Sequence, residues 1–292
     1  MTPATVSREG HTIVCRSAID PNASQAPIIW IHGLTMSVRF WEAGMFQSLV
    51  ANRTWHSVGL PLHAPSEYDG EPREEMLSED LFAEMIDEAV SQLVPEGGVH
   101  LIGHSLGGFA ALNYAAKFPA RVISVVSVGG FMNGRADGLE GALQFLAAGK
   151  FFRRIAFHTV FRLMQRSRFV LKLAAVAYAK RRLTVWRSEL VDATLREVFP
   201  EFQQHSITAL RAFCRYLLKM NVLDEICSLQ APVLAIAGDR DPIIPFKHQQ
   251  SYAERLVDGE LSVFPGCGHL AFAEDEARFE KVVGSWLKRF DS

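Results

Sequence analysis

Ser105 stands in the run Gly103-His104-Ser105-Leu106-Gly107, between the apolar stretch Val99 to Ile102 and the helix-like stretch Phe109 to Phe118. A serine at a strand-to-helix corner, with glycines two positions before and after it, forms a nucleophile elbow. The turn holds the serine in a sparsely populated backbone conformation, and the glycines let it close without side-chain clash. An ordinary buried turn serine would not need the strand, the further glycine Gly108 and the helix together. A hydroxyl is a weak nucleophile, so this chemistry also requires a base, a group that orients the base, and donors for the developing oxyanion. His269 closes the run Pro265-Gly266-Cys267-Gly268-His269 just after the strand-like Leu261 to Phe264, which makes it the natural general base. Asp239 and Asp241 both lie on the loop Gly238 to Pro245 that follows the buried strand Pro232 to Ala237, and an acid on this loop would face the serine. Cys267 lies close to His269, but the elbow serine outranks it as nucleophile.

The elements that must position these groups follow from patterning. The chain has 292 residues, 49% of them apolar, enough for one large domain with an insertion and an ample core. Strand-like runs alternate with amphipathic stretches through residues 1–130 and again from residue 222 onward, the pattern of a mostly parallel sheet covered by helices. Between these halves, over residues 131–221, the β pattern vanishes; there is no glycine between Lys150 and Asn221, and the segment reads as helical.

In its elbow, its chain order of serine, acid and histidine, and the run Ile28-Ile29-Trp30-Ile31-His32-Gly33-Leu34-Thr35, the chain resembles the α/β-hydrolase superfamily over nearly its whole length. The resemblance implies an α/β-hydrolase core formed by residues 1–130 and 222–292, with a helical cap over residues 131–221 lying above the active site. It implies backbone N–H donors at Leu34 and Leu106 for the oxyanion. It favours Asp241 over Asp239 as the acid, because the family places it three residues past the glycine and shortly before an apolar-proline segment, here Ile243-Ile244-Pro245. His32 is expected to pack or hydrogen-bond beneath the oxyanion loop and His104 to shape the elbow; His32, Gly33 and His104 are the residues expected nearest the substrate. Relatives that act as haloalkane dehalogenases or epoxide hydrolases carry aspartate at the elbow, which position 105 excludes. The activity expected is cleavage of a carboxylic ester through an acyl-enzyme and without a cofactor, with an apolar acyl chain because the expected cap is rich in Phe, Leu and Ala. Carbon–carbon bond hydrolases and thioesterases share the triad, and a noncatalytic ligand receptor on the same fold is a reading of another class. A carbon–carbon hydrolase would need an anion-binding arginine, for which Arg39 or a cap arginine could serve.

The net charge of −2 conceals an asymmetry: residues 131–221 hold sixteen Lys or Arg against six Asp or Glu, while the remainder holds fourteen against twenty-six. Helices rich in both large apolar and basic residues, as in Phe151 to Trp186, can rest on anionic lipid headgroups. A positive field could instead steer an anionic substrate, and the plainest alternative is ordinary cap helices with basic side chains in water. The start of the chain lacks a hydrophobic signal region, and its apolar stretches are broken by charges before the roughly 20 residues a membrane span requires. Cys15, Cys214, Cys227 and Cys267 show no paired spacing, which suits reduced thiols in a cytoplasm. The sequence contains no metal-ligand spacing, phosphate loop or repeat, so no metal and no nucleic acid are expected, and the resemblance implies a small-molecule ester as the partner.

Overall fold

The computed structural model describes residues 2–43 and 46–291. Its strands are β1 (Thr2–Arg8), β2 (His11–Ala18), β3 (Ile28–Ile31), β4 (Trp55–Val58), β5 (Glu67–Tyr68), β6 (Val99–His104), β7 (Val122–Val128), β8 (Val233–Gly238) and β9 (Gly259–Phe264). They form one sheet in the order β1-β2-β4-β3-β6-β7-β8-β9, with β5 beside β2. Pairing is antiparallel among β1, β2, β4 and β5, and parallel from β4 through β9. The inner parallel strands β3 and β8 read as continuous apolar runs because both their faces are covered. In β3, Ile29 and Ile31 enter one hydrophobic cluster, while Ile28 and Trp30 enter the other.

The helices are α1 (Gln47–Val50), α2 (Glu79–Leu93), α3 (Leu106–Lys117), α4 (Gly138–Ala147), α5 (Phe151–Arg166), α6 (Arg168–Tyr178), α7 (Arg182–Arg187), α8 (Glu189–Phe202), α9 (Ile207–Leu217), α10 (Leu223–Ile226), α11 (Phe246–Ala253), α12 (Ala271–Glu274) and α13 (Glu276–Phe290). The even strand–helix alternation expected over residues 1–130 starts late. β1 and β2 make a hairpin through Glu9 and Gly10, both at positive φ, and among the described residues the four-residue α1 is the only α-helix before α2. Helix α2 begins where Ser78 accepts the Leu81 N–H, with Glu79 and Asp80 complementing the positive end of the helix.

Helices α4 to α9 form the cap, inserted between β7 and β8. The chain enters and leaves it side by side: Asn133 bridges Asn221, the Gly134 N–H donates to the Met220 carbonyl at 3.2 Å, and the Val222 N–H donates to that of Met132 at 2.9 Å. Inside the cap, Ser167, Ser188 and Ser206 each cap a helix by accepting the N–H three residues on. These serines divide an otherwise uniform apolar-basic sequence into short helices that can fold over the sheet.

From β3 the chain steps to β4 on one side, then crosses back to β6 on the other. The carboxyl ends of β3 and β6 therefore flank a topological switch point, the crevice where open parallel sheets bind ligands. The loop Gly33 to Met36 and the corner at Ser105 meet there.

Candidate active site

Ser105 leaves β6 with φ 54° and ψ −115°, outside the favoured regions for a non-glycine residue. Such a conformation costs on the order of 1–3 kcal/mol and persists only where the surroundings dictate it. Here the Ser105 N–H donates to the Val128 carbonyl of β7 at 2.8 Å, and the first turn of α3 closes on the Ser105 carbonyl. The glycines are required by space. A Cβ on Gly103 would collide with the Gly107 carbonyl, and one on Gly107 with the carbonyls of Ile31 and His32.

His269 is held by Asp241. Its Nδ1 donates to Asp241 Oδ2 at 2.8 Å, and both side chains are buried. Asp241 Oδ1 accepts the N–H groups of Ile243 and Ile244 at 2.8 and 3.0 Å, and Oδ2 also accepts from Gln249 Nε2 at 3.1 Å. These donors fix the carboxylate, which in turn fixes the imidazole in the tautomer whose Nε2 is free to accept a proton. Asp239 has a different partner: its Oδ1 accepts the Gly266 N–H at 2.6 Å, tying the acid loop to the histidine loop. Gly129, at φ 58°, lies against the His269 ring, where a Cβ would come within 3.2 Å of it. The His269 N–H donates to the Tyr178 carbonyl at 3.0 Å, so the cap also anchors the histidine. Glu274 strengthens that link, accepting the N–H groups of Gly268, Lys180 and Arg181.

The family model described as alpha/beta hydrolase fold matches residues 26–276. The chain belongs to the α/β-hydrolase fold family. Among relatives, an uncharacterised protein of Mycobacterium tuberculosis is 27% identical over 284 residues, covering 93% of this chain and 78% of its own. A 2-hydroxymuconate semialdehyde hydrolase of Pseudomonas sp. (strain CF600) is 24% identical over 293 residues, covering 98% and 95%. Among solved structures, the enol-lactonase from Burkholderia xenovorans LB400 superposes with a TM-score of 0.75 at 16% identity, covering 98% of this chain and all of that one.

In this α/β-hydrolase, Ser105 and His269 line one cavity of about 110 Å³, floored by the sheet's crevice and roofed by the cap. Gly33, Leu34 and His104 line it too. Among the described residues neither the Leu34 nor the Leu106 N–H has an acceptor, and Leu106 is fully buried at the start of α3. His32, expected near the substrate, is not in the cavity wall. It is fully buried, its Nδ1 donating to the Gly33 carbonyl at 2.8 Å while its Nε2 accepts the Leu60 N–H at 3.2 Å. Burial holds its pKa down to about 4, so it is a neutral brace for the loop. His104 does reach the wall, but its Nε2 donates to the His269 carbonyl at 3.1 Å and its ring stacks on Phe40. Burial pushes its pKa to about 3.

Three further groups carry no signal in the sequence. Gln249 steadies Asp241 from α11. Glu140 of α4 and Tyr178 of α6 line the cavity and are bonded to each other at 2.7 Å. A second serine–histidine–aspartate chain also exists: His100 Nδ1 pairs with Ser124 Oγ at 2.8 Å, and His100 Nε2 lies 3.3 Å from Asp291 Oδ1. It sits at the opposite end of β6 and β7. Ser124 and His100 are fully buried, Trp286 Nε1 donates to Ser124 Oγ at 3.1 Å, and Arg53 grips the Asp291 carboxylate.

Proposed function

We propose that this protein is a serine esterase that cleaves carboxylic esters with an apolar acyl chain, using Ser105 as nucleophile, His269 as base and Asp241 as its orienting acid. One observation carries this reading: the elbow serine and the aspartate-held histidine share a cavity walled by aliphatic and aromatic side chains. His269 Nε2 takes the Ser105 proton as Oγ attacks the ester carbonyl, and the Leu34 and Leu106 N–H groups receive the oxyanion. Collapse breaks the carbon–oxygen bond, and His269 returns its proton to the departing alcohol. Water, deprotonated by His269, then attacks the acyl-enzyme, releasing the acid and restoring Ser105. Loss of one oxyanion donor typically costs about 100- to 1,000-fold in rate. On this reading residues 1–130 and 222–292 form the catalytic core, and residues 131–221 form a cap domain that selects the acyl group.

The cavity wall counts against substrates that carry a carboxylate or phosphate near the reacting bond. Among the described residues, no lysine or arginine lines it. Arg39 turns away to Glu201 at 2.8 Å, with Glu197 and Glu42 also within 4 Å. Carbon–carbon hydrolysis of an acidic substrate and coenzyme A thioester cleavage therefore rank below simple ester cleavage. The test is hydrolysis of p-nitrophenyl esters from acetate to palmitate. Many turnovers are expected, with a loss of several orders of magnitude in Ser105→Ala. No turnover, or equal rates in the two proteins, would remove the esterase assignment and move carbon–carbon hydrolysis or ligand binding ahead of it.

A second reading concerns the outer face of the cap. Among the described residues, eight of the eleven exposed large apolar side chains lie between Phe145 and Leu183, including Phe151 and Phe152 at 69% and 82% exposure. They alternate with Arg153, Arg154, Arg162 and Arg166. That combination fits an anionic lipid surface, with the aromatic rings at the headgroup boundary and the arginines on phosphates. Among the described residues no helix is long and apolar enough to cross a membrane, so the contact would be peripheral. Co-sedimentation with phosphatidylglycerol vesicles is expected, reduced in Phe151→Ser/Phe152→Ser; equal recovery with and without vesicles would end this reading.

A further inference from the structure

The largely apolar cavity contains a buried carboxyl whose presence the ester chemistry above does not require. Glu140 lies on α4, is only 6% exposed, and lines the cavity with Ser105 and His269. Its Oε2 accepts the Tyr178 O–H at 2.7 Å, whereas its Oε1 is buried without a partner. Tyr178 is itself next to the reaction centre: its carbonyl accepts the His269 N–H at 3.0 Å, and its ring centroid lies 5.8 Å from that of His269. Glu140 and His269 are close enough to interact electrostatically, while burial raises the Glu140 pKa.

A carboxyl that only linked α4 to α6 would be expected to have both oxygens bonded, because an unsatisfied buried acceptor is costly. The neighbouring Gln144 meets that expectation: its Oε1 accepts the Ala136 N–H at 3.2 Å and its Nε2 donates to the Gly134 carbonyl at 2.6 Å. Glu140 Oε1 is left over in a wall that otherwise suits hydrocarbon. We infer that the Glu140 carboxyl, oriented by Tyr178, recognises a hydroxyl group that the substrate carries close to its scissile bond. The preferred substrate would then be a neutral hydroxylated ester, and a plain alkyl ester would leave Oε1 unpaired on binding. Sites built to bond a substrate hydroxyl discriminate strongly against the analogue that lacks it.

This inference rests on the esterase reading, and two matched ester pairs test the two separately. On the acyl side, p-nitrophenyl 3-hydroxyhexanoate is compared with p-nitrophenyl hexanoate; on the alcohol side, 1-monohexanoylglycerol with propyl hexanoate. For each pair the ratio of kcat/KM, hydroxylated over plain, is measured in the wild type, in Glu140→Leu and in Glu140→Gln. Within a pair, a general loss of catalysis cancels, and comparison across variants removes the intrinsic reactivity of the ester. The expected result is a ratio that falls about 10-fold or more in Glu140→Leu for at least one pair, with most of it restored in Glu140→Gln, which keeps a polar group at the same place. Ratios that do not change overturn the inference while leaving the esterase intact. Should Glu140→Leu fail to fold, a wild type that prefers the plain ester in both pairs overturns it equally, and a wild-type preference for the hydroxylated one that is reduced in Tyr178→Phe supports it. If the wild type cleaves none of the four esters, the esterase reading has failed. Calorimetric binding of the same intact esters then decides, with tighter binding of a hydroxylated member supporting hydroxyl recognition and equal binding removing it.

Discussion

Two serine–histidine–aspartate sets stand at opposite ends of the central sheet, with β6 common to both. Ser105, His269 and Asp241 gather at the carboxyl ends of β6, β8 and β9, while Ser124, His100 and Asp291 gather near the amino ends of β6 and β7. The residue types are the same, so their surroundings decide what each can do. Ser105 is on a strained corner facing a cavity, with unbonded N–H groups nearby. Ser124 sits within β7, paired with His100 beside an irregularity in the ladder and bonded to Trp286, and among the described residues neither it nor His100 lines the cavity that Ser105 faces. The Asp291 carboxylate spends its charge on Arg53, whose guanidinium is buried with it. On the esterase reading the first set has room for a substrate and donors for an oxyanion, whereas the second fastens α13 to the underside of the sheet.

The sharpest way to break this contrast is to remove each aspartate's charge. Asp241→Asn is expected to lower kcat for ester hydrolysis by about 10⁴-fold with little change in the melting temperature, since the wrong histidine tautomer would be favoured. Asp291→Asn should do the reverse, leaving kcat of the folded protein near wild type while destabilising it by roughly 3–5 kcal/mol, because Arg53 would keep a buried charge with no counter-ion. Parallel kinetics and urea unfolding would show it, and a large loss of kcat in Asp291→Asn would collapse the distinction.

A smaller effect is expected from pH. Burial, and then the charge of Arg53, hold the His100 pKa down to about 4, and burial does the same for His32 and His56. Unfolded, each returns to about 6.5 and binds a proton that the folded state refuses. Stability from these groups is therefore complete above pH 6.5 and is lost as the pH falls from 6.5 through 4, by up to about 1.4 kcal/mol per pH unit for each imidazole. His100→Gln should flatten this slope by about one proton's worth in unfolding titrations between pH 7 and 5, even if it lowers stability at pH 7. An unchanged slope would mean that His100 is protonated in the folded state.

The catalytic end was more legible in the sequence than the structural end, for a physical reason. An elbow is local: Gly103, Ser105 and Gly107 must stand at fixed offsets because the turn closes over five residues. His269 was visible from a glycine-rich loop after a strand. The choice between Asp239 and Asp241 was not available from the residues alone, since both share one loop, and it depended on a resemblance. Their bonds to Gly266 and His269 then separate them. His32 packs beneath the loop, as its sequence position suggests, but whether such a histidine also faces the cavity is not legible, because cavity-facing and core-facing histidines look the same from sequence. Glu140 and Tyr178 lie 38 positions apart on two cap helices, and His100 and Asp291 lie 191 apart. No spacing rule joins them; only the packing of separate elements does.

Because Ser105 follows β6 while His269 follows β9, with Asp241 between them, the parts of the site emerge one after another during synthesis. The elbow can take shape once β3, β6 and β7 have paired. The base cannot arrive until β9 has added to β8 and the cap has come down to receive the His269 N–H at Tyr178. A partly made or partly folded chain thus presents a serine with no partner to arm it. On the esterase reading, reactivity toward esters would be withheld from forms in which β9 has not yet joined the sheet.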